Sequence, residues 1–294
     1  MTRPSQSPIL SFSPDSPEFP AALRNIPEAP KTLYWRGNPE LLTWEPKVAM
    51  VGSRTPSAYG KRIAEQIATE LAQAGVCIVS GLARGIDGIC HQAALEARGK
   101  TIAVLGSAID EITPKQNLAL GTQVIADGLL ISEYPPGHAL RNWQFVARNR
   151  LISGLSRAVI IVEAAATSGT LTTAKWALDQ GREVMVLPGP ADSPLSAGTL
   201  QLLRDGARCV RHATDILSDL GLKAEPQLPI QDVSDYNHKE NGDPLLLYLN
   251  EGPIHMDLLL EKTGLTPAEL SRDLLRLELD GQVKQLPGQR YERC

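Results

Sequence analysis

A doubly wound α/β domain built on a mainly parallel sheet is the fold this sequence predicts, and three observations predict it. Six short runs are nearly continuous in Val, Ile and Leu: "VAMVGS" (48–53), "VCIVSG" (76–81), "TIAVLGS" (101–107), "GLLISE" (128–133), "AVIIVEA" (158–164) and "EVMVLPG" (183–189). Strands covered on both faces read this way, whereas strands with one wet face alternate apolar and polar residues. Amphipathic stretches lie between the runs, such as "YGKRIAEQIATELAQAG" (59–75), which Gly75 closes as a helix C-cap. The alternation persists from Lys47 to about Leu222, as expected of successive βαβ units. "ARCV" (207–210) adds an edge strand.

The flanks break this pattern. Residues 1–46 form a lead-in, with one short helix at "FPAALRNI" and one short strand at "TLYWRG". Residues 223–242 are polar and Pro-containing, which predicts a linker. From Asp243 to the end, residues 243–294 read as three helices followed by a Gly-punctuated tail. The main domain therefore spans 47–222.

Composition narrows the function classes. The net charge of −4 over 294 residues means that any polyanion must be met by a local patch. Cys77, Cys90, Cys209 and Cys294 form no CxxC pair and have no His at metal-ligand spacing. That argues against a disulfide framework and a zinc site, and suits a reducing cytoplasm. The opening "MTRPSQSPILSFSPDSP" lacks a signal peptide's apolar stretch, and no run is long enough to span a membrane. The expectation is a cytoplasmic protein without metal, cofactor or membrane contact.

Ligands of open α/β sheets bind at the carboxyl ends of the strands. Here those ends carry Gly52-Ser53-Arg54, Ser80-Gly81, Gly106-Ser107 and, opening a helix, Ser168-Gly169-Thr170. Small residues with free N–H groups at helix starts make anion nests, and Arg54 and Lys175 add charge. Glycines there also permit tight turns, but a set with Ser or Thr beside most of them favours phosphate contact. "GSRTPSAYG" is not GxGxxG, the second strand ends in Ser80-Gly81 where a ribose-gripping acid would stand, and GxxxxGK[ST] is absent. No catalytic dyad emerges. Asp87, Glu133 and Glu163 lack a partnered nucleophile; His91 reads as a packed helix residue, and Asp87 as a cap or turn holder.

The stretch "RNWQFVARNRLISGLSR" (141–157) carries Arg141, Arg148, Arg150 and Arg157 with Trp143 and Phe145, and no acid. As a helix over the strand-end rim, it can turn Trp143, Val146, Ile152 and Leu155 to the core, with Arg141, Phe145 and Arg148 elsewhere. Rings beside guanidinium groups near anion nests are the composition of a single-strand nucleic-acid surface, where rings stack on bases and Arg holds phosphates. Phe145 could instead be core above a solvated basic face; the composition favours stacking for Phe145 and core for Trp143.

Several motifs carry a resemblance. "VAMVGSRTPSAYG", "IVSGLARGIDGICHQAAL", "RNRLISGLS", "SGTLTTAKWALDQGREVMVLPG" and "SAGTLQLLRDGA", after the lead-in "FPAALRNIPEAPKTLYWRGN", closely resemble the DNA-processing protein A (DprA or Smf) family from about Phe19 to Leu222. The resemblance implies a Rossmann-like domain that binds single-stranded DNA without sequence preference. It also implies a homodimer that hands the strand to the recombinase RecA in natural transformation. It places Gly52, Ser53, Arg54 and Ser57 in a GSRxxS phosphate loop and Phe145 at the base-stacking aromatic. Arg148 and Arg150 fall in the RNR that follows, Ser168, Gly169 and Thr170 in the SG[ST] turn, and Lys175 on the next helix. Gly81 and Gly106 complete the expected DNA-binding set from the strand ends. Cys90 replaces a usual Ala, Leu200 a usual Asn, and Asn142 a basic residue whose charge Arg141 can supply.

The tail resembles a winged-helix module, with Thr266 capping its third helix before Pro267 and a two-stranded wing around Gly288. Its nine acids against six bases make it a poor phosphate seeker and favour a protein-contact or regulatory role. Two other classes share the main scaffold: LOG-type nucleotide phosphoribohydrolases and nucleotide-sensing proteins. The first needs a Glu in PGGxGTxxE, where this chain has Thr173, so the expectation is a binding protein and not an enzyme.

Overall fold

The chain enters the sheet earlier than its sequence predicts. Strand β1 (Leu10–Phe12) lies inside the Ser/Pro-rich start, where three residues give too little pattern to read, and it pairs antiparallel with β2 (Leu33–Gly37). Between them stands α1 (Ala21–Arg24), the short helix expected there. Phe12 stacks on Trp35 with ring centroids 5.5 Å apart. The lead-in is thereby stitched to the main sheet, because β2 also pairs with β6 (Leu129–Ser132).

The computed structural model describes residues 8–222, 244–249, 253–286 and 288–293. The chain divides into two units, Met1–Gln227 and Leu228–Cys294. The expected linker, 223–242, falls outside the described residues.

In the first unit, β3 (Lys47–Val51), β4 (Cys77–Ser80), β5 (Thr101–Leu105), β6, β7 (Ala158–Ile161) and β8 (Glu183–Val186) coincide with the six apolar runs. β9 (Arg208–Cys209) is the edge strand. The order is β1-β2-β6-β5-β4-β3-β7-β8-β9, parallel from β6 through β9. Successive side chains of a strand point to opposite faces. Val48 and Met50 accordingly join one core with α2 (Ala58–Gln73), α3 (Ile86–Glu96) and α8 (Ala213–Asp219), while Ala49 and Val51 join another with α5 (Trp143–Gly154) and α6 (Thr170–Asp179). Helix α4 (Leu118–Asp127) covers β5 and β6 through Val124 and Ile125, and α7 (Ala197–Arg204) precedes β9.

The second unit contains α9 (Pro244–Leu249), α10 (Met256–Thr263) and α11 (Pro267–Leu279), the three expected helices. Thr266 caps α11 in a reciprocal box with Glu269, a feature worth about 1 kcal/mol. β11 (Val283–Leu286) and β12 (Arg290–Arg293) make the wing. A third strand, β10 (Ile254–His255), joins β12; the sequence reading had only two, since two residues carry no period.

Candidate nucleic-acid interface

β3 is flanked by β4 on one side and β7 on the other. The winding therefore reverses between β3 and β7, which opens a crevice at their carboxyl ends. Gly52, Ser53 and Arg54 follow β3; Ser168, Gly169 and Thr170 lead into α6 after β7. Thr170 Oγ1 donates to the Gly52 carbonyl at 3.0 Å and joins the two loops. Gly52 is buried so tightly that an added Cβ would lie 2.8 Å from Ile86 Cγ1, whereas space above Gly169 is open. Ser168 Oγ accepts from Thr170 N at 3.2 Å, and Ser53 Oγ from Thr55 N at 3.2 Å. Both hydroxyls thus hold their loops in shape.

Ser57 has a different role from the phosphate contact expected of it. It is the N-cap of α2: its Oγ accepts from Gly60 N at 3.0 Å and donates to Glu163 Oε1 at 2.5 Å, while its own N–H donates to Glu163 Oε2 at 3.0 Å. Glu163, 5% exposed, sits just past β7. The positive end of α2 is already occupied by a carboxylate of the chain itself.

The loop after β4 is held from three directions. Asp87 Oδ2 accepts from Gly81 N at 3.1 Å and Ala83 N at 3.4 Å, so this acid holds the turn. Asn117 Nδ2 donates to the carbonyls of Leu82 and Ala83, both at 2.9 Å. Arg148 donates to the carbonyls of Gly81, at 2.7 Å, and Val104. Leu82 is kept at φ 54° by these contacts, a region that bulky residues enter only when their surroundings force it. At Gly85, φ 78°, a Cβ would come within 2.3 Å of Ser53 O, so only glycine lets the loops after β3 and β4 touch.

Arg148 and Arg150, expected to face phosphates, are 3% and 6% exposed. Burial pulls the Arg148 guanidinium down to about 10, with Asp87 opposing and Arg54 adding to the shift; burial likewise raises Asp87. Arg150 grips Glu133 with both terminal nitrogens at 2.6 Å and donates Nε to Glu28 O at 2.8 Å. Both arginines are framework under the rim. Their partners come from distant stretches of chain, which is why their charge read as surface.

Phe145 is half-buried, and a Cβ on Gly106 would lie 2.8 Å from its Cδ1 and 3.1 Å from its Cα. The core-facing stripe expected on α5 covers only its second half: Ile152 and Leu155 are buried, but Trp143 is 61% and Val146 45% exposed. In the first turn the positions facing inward are instead Gln144, fully enclosed, and half-buried Phe145 over Gly106, so Trp143 and Val146 are turned away from the sheet. His91 is packed as expected, with Nδ1 2.6 Å from Thr101 Oγ1. Arg54 and Lys175 are exposed and make no ion pair among the described residues.

Comparison with known proteins shows the family. The family described as DNA recombination-mediator protein A matches residues 11–221, and the DprA winged helix domain matches residues 237–289. Protein Smf of Synechocystis is 36% identical, aligning 96% of this chain with 79% of its own. The chain belongs to the DprA/Smf family. DprA of Bacillus subtilis is 40% identical over 70% of this chain and 69% of its own. The crystal structure of DprA from Streptococcus pneumoniae superposes with a TM-score of 0.69 at 41% identity, covering 74% of this chain and 75% of that one. DprA of Helicobacter pylori, whose structure addresses its single-stranded DNA binding mode, gives 0.67 at 33% identity, covering 74% and 97%.

In this DprA/Smf chain the sequence reading passed over Arg84, which is exposed in the loop after β4. The criterion that selected Arg54, a cation in a strand-end loop, selects Arg84 equally. The roles of Asn117 and Glu163 had no such signal, because their partners lie 34 to 35 and 106 residues away.

Proposed function

We propose that this chain binds single-stranded DNA without sequence preference along the strand-end rim and delivers it to the recombinase RecA, acting as a homodimer in transformation or recombinational repair. The observation that carries the reading is the pairing of an accessible ring, Phe145 over Gly106 in the first turn of α5, with exposed Arg54 and the open Gly169 turn on the neighbouring strand-end loops. Stacking accepts any base, because every base has a π-face, and exposed cations track the backbone. Lys175 adds charge from α6. Ser53, Ser168 and Thr170 shape the turns whose amides face the strand; Gly52, Gly81 and Gly106 allow the close approach; Ser57, Arg148 and Arg150 position the rest. The subject of the H. pylori relative's structure, single-stranded DNA binding, supports the same assignment.

A hydrolytic role on ribosyl phosphates is disfavoured: Thr173, at the position where such an enzyme needs a carboxylate, is 1% exposed inside α6. The family's mediator description supports transfer to a recombinase. The test is fluorescence anisotropy with labelled oligo-dT and the matching duplex at two salt concentrations. Tight, salt-sensitive binding of the single strand with weak duplex binding is expected; equal binding of both, or of neither, rejects the proposal. Stimulated RecA filament formation on coated strands tests the delivery step.

A further inference from the structure

Trp143 begins α5 with 61% of its surface exposed, although the same helix buries Leu151 and Ile152 almost completely. It is not an isolated ring. Tyr134 meets it edge-on with centroids 6.4 Å apart, and His138 stacks on Tyr134 at 4.9 Å and 26°. The backbone beneath is fixed at several points. Tyr134 N donates to Ser132 Oγ at 3.0 Å, the Tyr134 carbonyl accepts from Ile109 N at 3.2 Å, and Ser132 Oγ donates to Ser107 O at 2.6 Å. Gly137 N donates to the Asp110 carboxylate at 3.1 Å, and Glu133 is held by Arg150. Tyr134 and His138 thus stand on a loop anchored at these points, and Trp143 joins them from the start of α5.

Their placement gives the cluster an occupant. Phe145 rests on Gly106 at the end of β5, and the cluster rises from the end of β6, the next parallel strand, paired Leu105 to Ser132. Neighbouring strands lie about 4.8 Å apart, and Phe145 and Trp143, two positions apart on one helix, splay roughly 200° from each other. The two rings therefore leave opposite sides of the helix start, Phe145 against the end of β5 and Trp143 against Tyr134 just past β6, with exposed Arg141 nearby in the chain. We propose that Trp143, braced by Tyr134 and His138, is a second base-stacking station that takes the unpaired base next beyond the one on Phe145. This rests on the single-strand reading above and extends its site from β5 to β6.

The test uses the full chain and a ladder of oligo-dT lengths, comparing the unaltered protein with Phe145→Ala, Trp143→Ala and Trp143→Phe. Phe145→Ala is expected to weaken binding at every length. Trp143→Ala is expected to weaken long oligomers by between about 5- and 150-fold, the span of one base–aromatic stack, while leaving unchanged the shortest oligomer that still binds. Trp143→Phe should recover most of the loss and abolish the quenching of tryptophan emission by long oligomers. Trp143→Ala that binds every length as the unaltered protein does overturns the proposal and assigns the rings to a protein contact. A loss equal at all lengths also overturns it, because the ring then acts through the fold. An unaltered protein that binds no oligomer rejects the underlying reading itself, a result distinct from either.

Discussion

Phe145 stands directly on Gly106, close enough that a single methyl group at position 106 would press on the ring at 2.8 Å and on the helix backbone at 3.1 Å. The absence of a side chain at the end of β5 is what lets α5 begin at the rim. Gly106→Ala should therefore displace the ring and its helix start together. The expected result is a several-fold weaker grip on oligo-dT and a stability loss of about 1–3 kcal/mol from overpacking, read by anisotropy and urea unfolding. Unchanged binding would place the stacking surface elsewhere.

Arg54 and Arg148 carry the same charge and should fail in opposite ways. Arg148→Ala leaves the carbonyls of Gly81 and Val104 and the carboxylate of Asp87 without their buried cation. The expected cost is about 3–5 kcal/mol of stability. Arg54→Ala, at an exposed position, should stay within about 0.5 kcal/mol of the parent. It should weaken every DNA sequence alike and lower the log–log salt slope by about 0.7 per phosphate lost. Urea unfolding beside a salt titration separates the two outcomes.

Arg150 and Glu133 form a pair that is 7% and 16% exposed. Removing the guanidinium alone, as Arg150→Met, strands a carboxylate and should cost about 3–5 kcal/mol, whereas adding Glu133→Gln should restore much of the loss. A double-mutant cycle by urea unfolding reads the coupling. A double variant no more stable than Arg150→Met would mean that the Glu28 contact is the important one.

His91 predicts an acid-sensitive core. The Thr101 hydroxyl donates to Ile78 O at 2.8 Å, so its oxygen accepts from His91 Nδ1–H. Burial first, and then Arg148, push this imidazole down to about 3 from 6.5. The unfolded chain thus binds a proton that the folded chain refuses between those values, and stability falls as pH drops through that window. From pH 7 to pH 5 the loss should approach about 2 kcal/mol. Buried Asp87, whose carboxyl is raised by burial, acts in the opposite sense at the acid end. His91→Gln should flatten the slope between pH 7 and pH 5; an unchanged slope would assign it to other groups.

What could be read from the sequence followed the range over which its signals act. Each long strand was legible because four or five consecutive apolar residues suffice to mark one that is covered on both faces. The strand order was not, and β1 was invisible, because three residues acquire strand character only by pairing with β2. At the site, Arg54 and Gly169 are exposed as local turn chemistry suggests, while Phe145 owes its half-buried place to Gly106. Arg148, Arg150 and Ser57 do not take their expected roles, since carbonyls and carboxylates from 17 to 122 residues away claim their polar atoms. Trp143 departs from expectation because the face of the first turn that meets the sheet is the one carrying Gln144 and Phe145, a choice fixed by Gly106 far away in the sequence.

Glu163, wedged against Ser57 at the start of α2, has a consequence for selectivity. In dinucleotide-binding relatives of this architecture the first helix start is the seat of a pyrophosphate. Here the seat is taken by a tethered anion, and a small phosphate ester arriving there must evict it against like-charge repulsion. A polymer escapes this contest, since it can gather many weaker holds along the neighbouring loops. On the single-strand reading proposed above, the occupied helix start is expected to favour a strand over free nucleotides, because the strand does not depend on that one position.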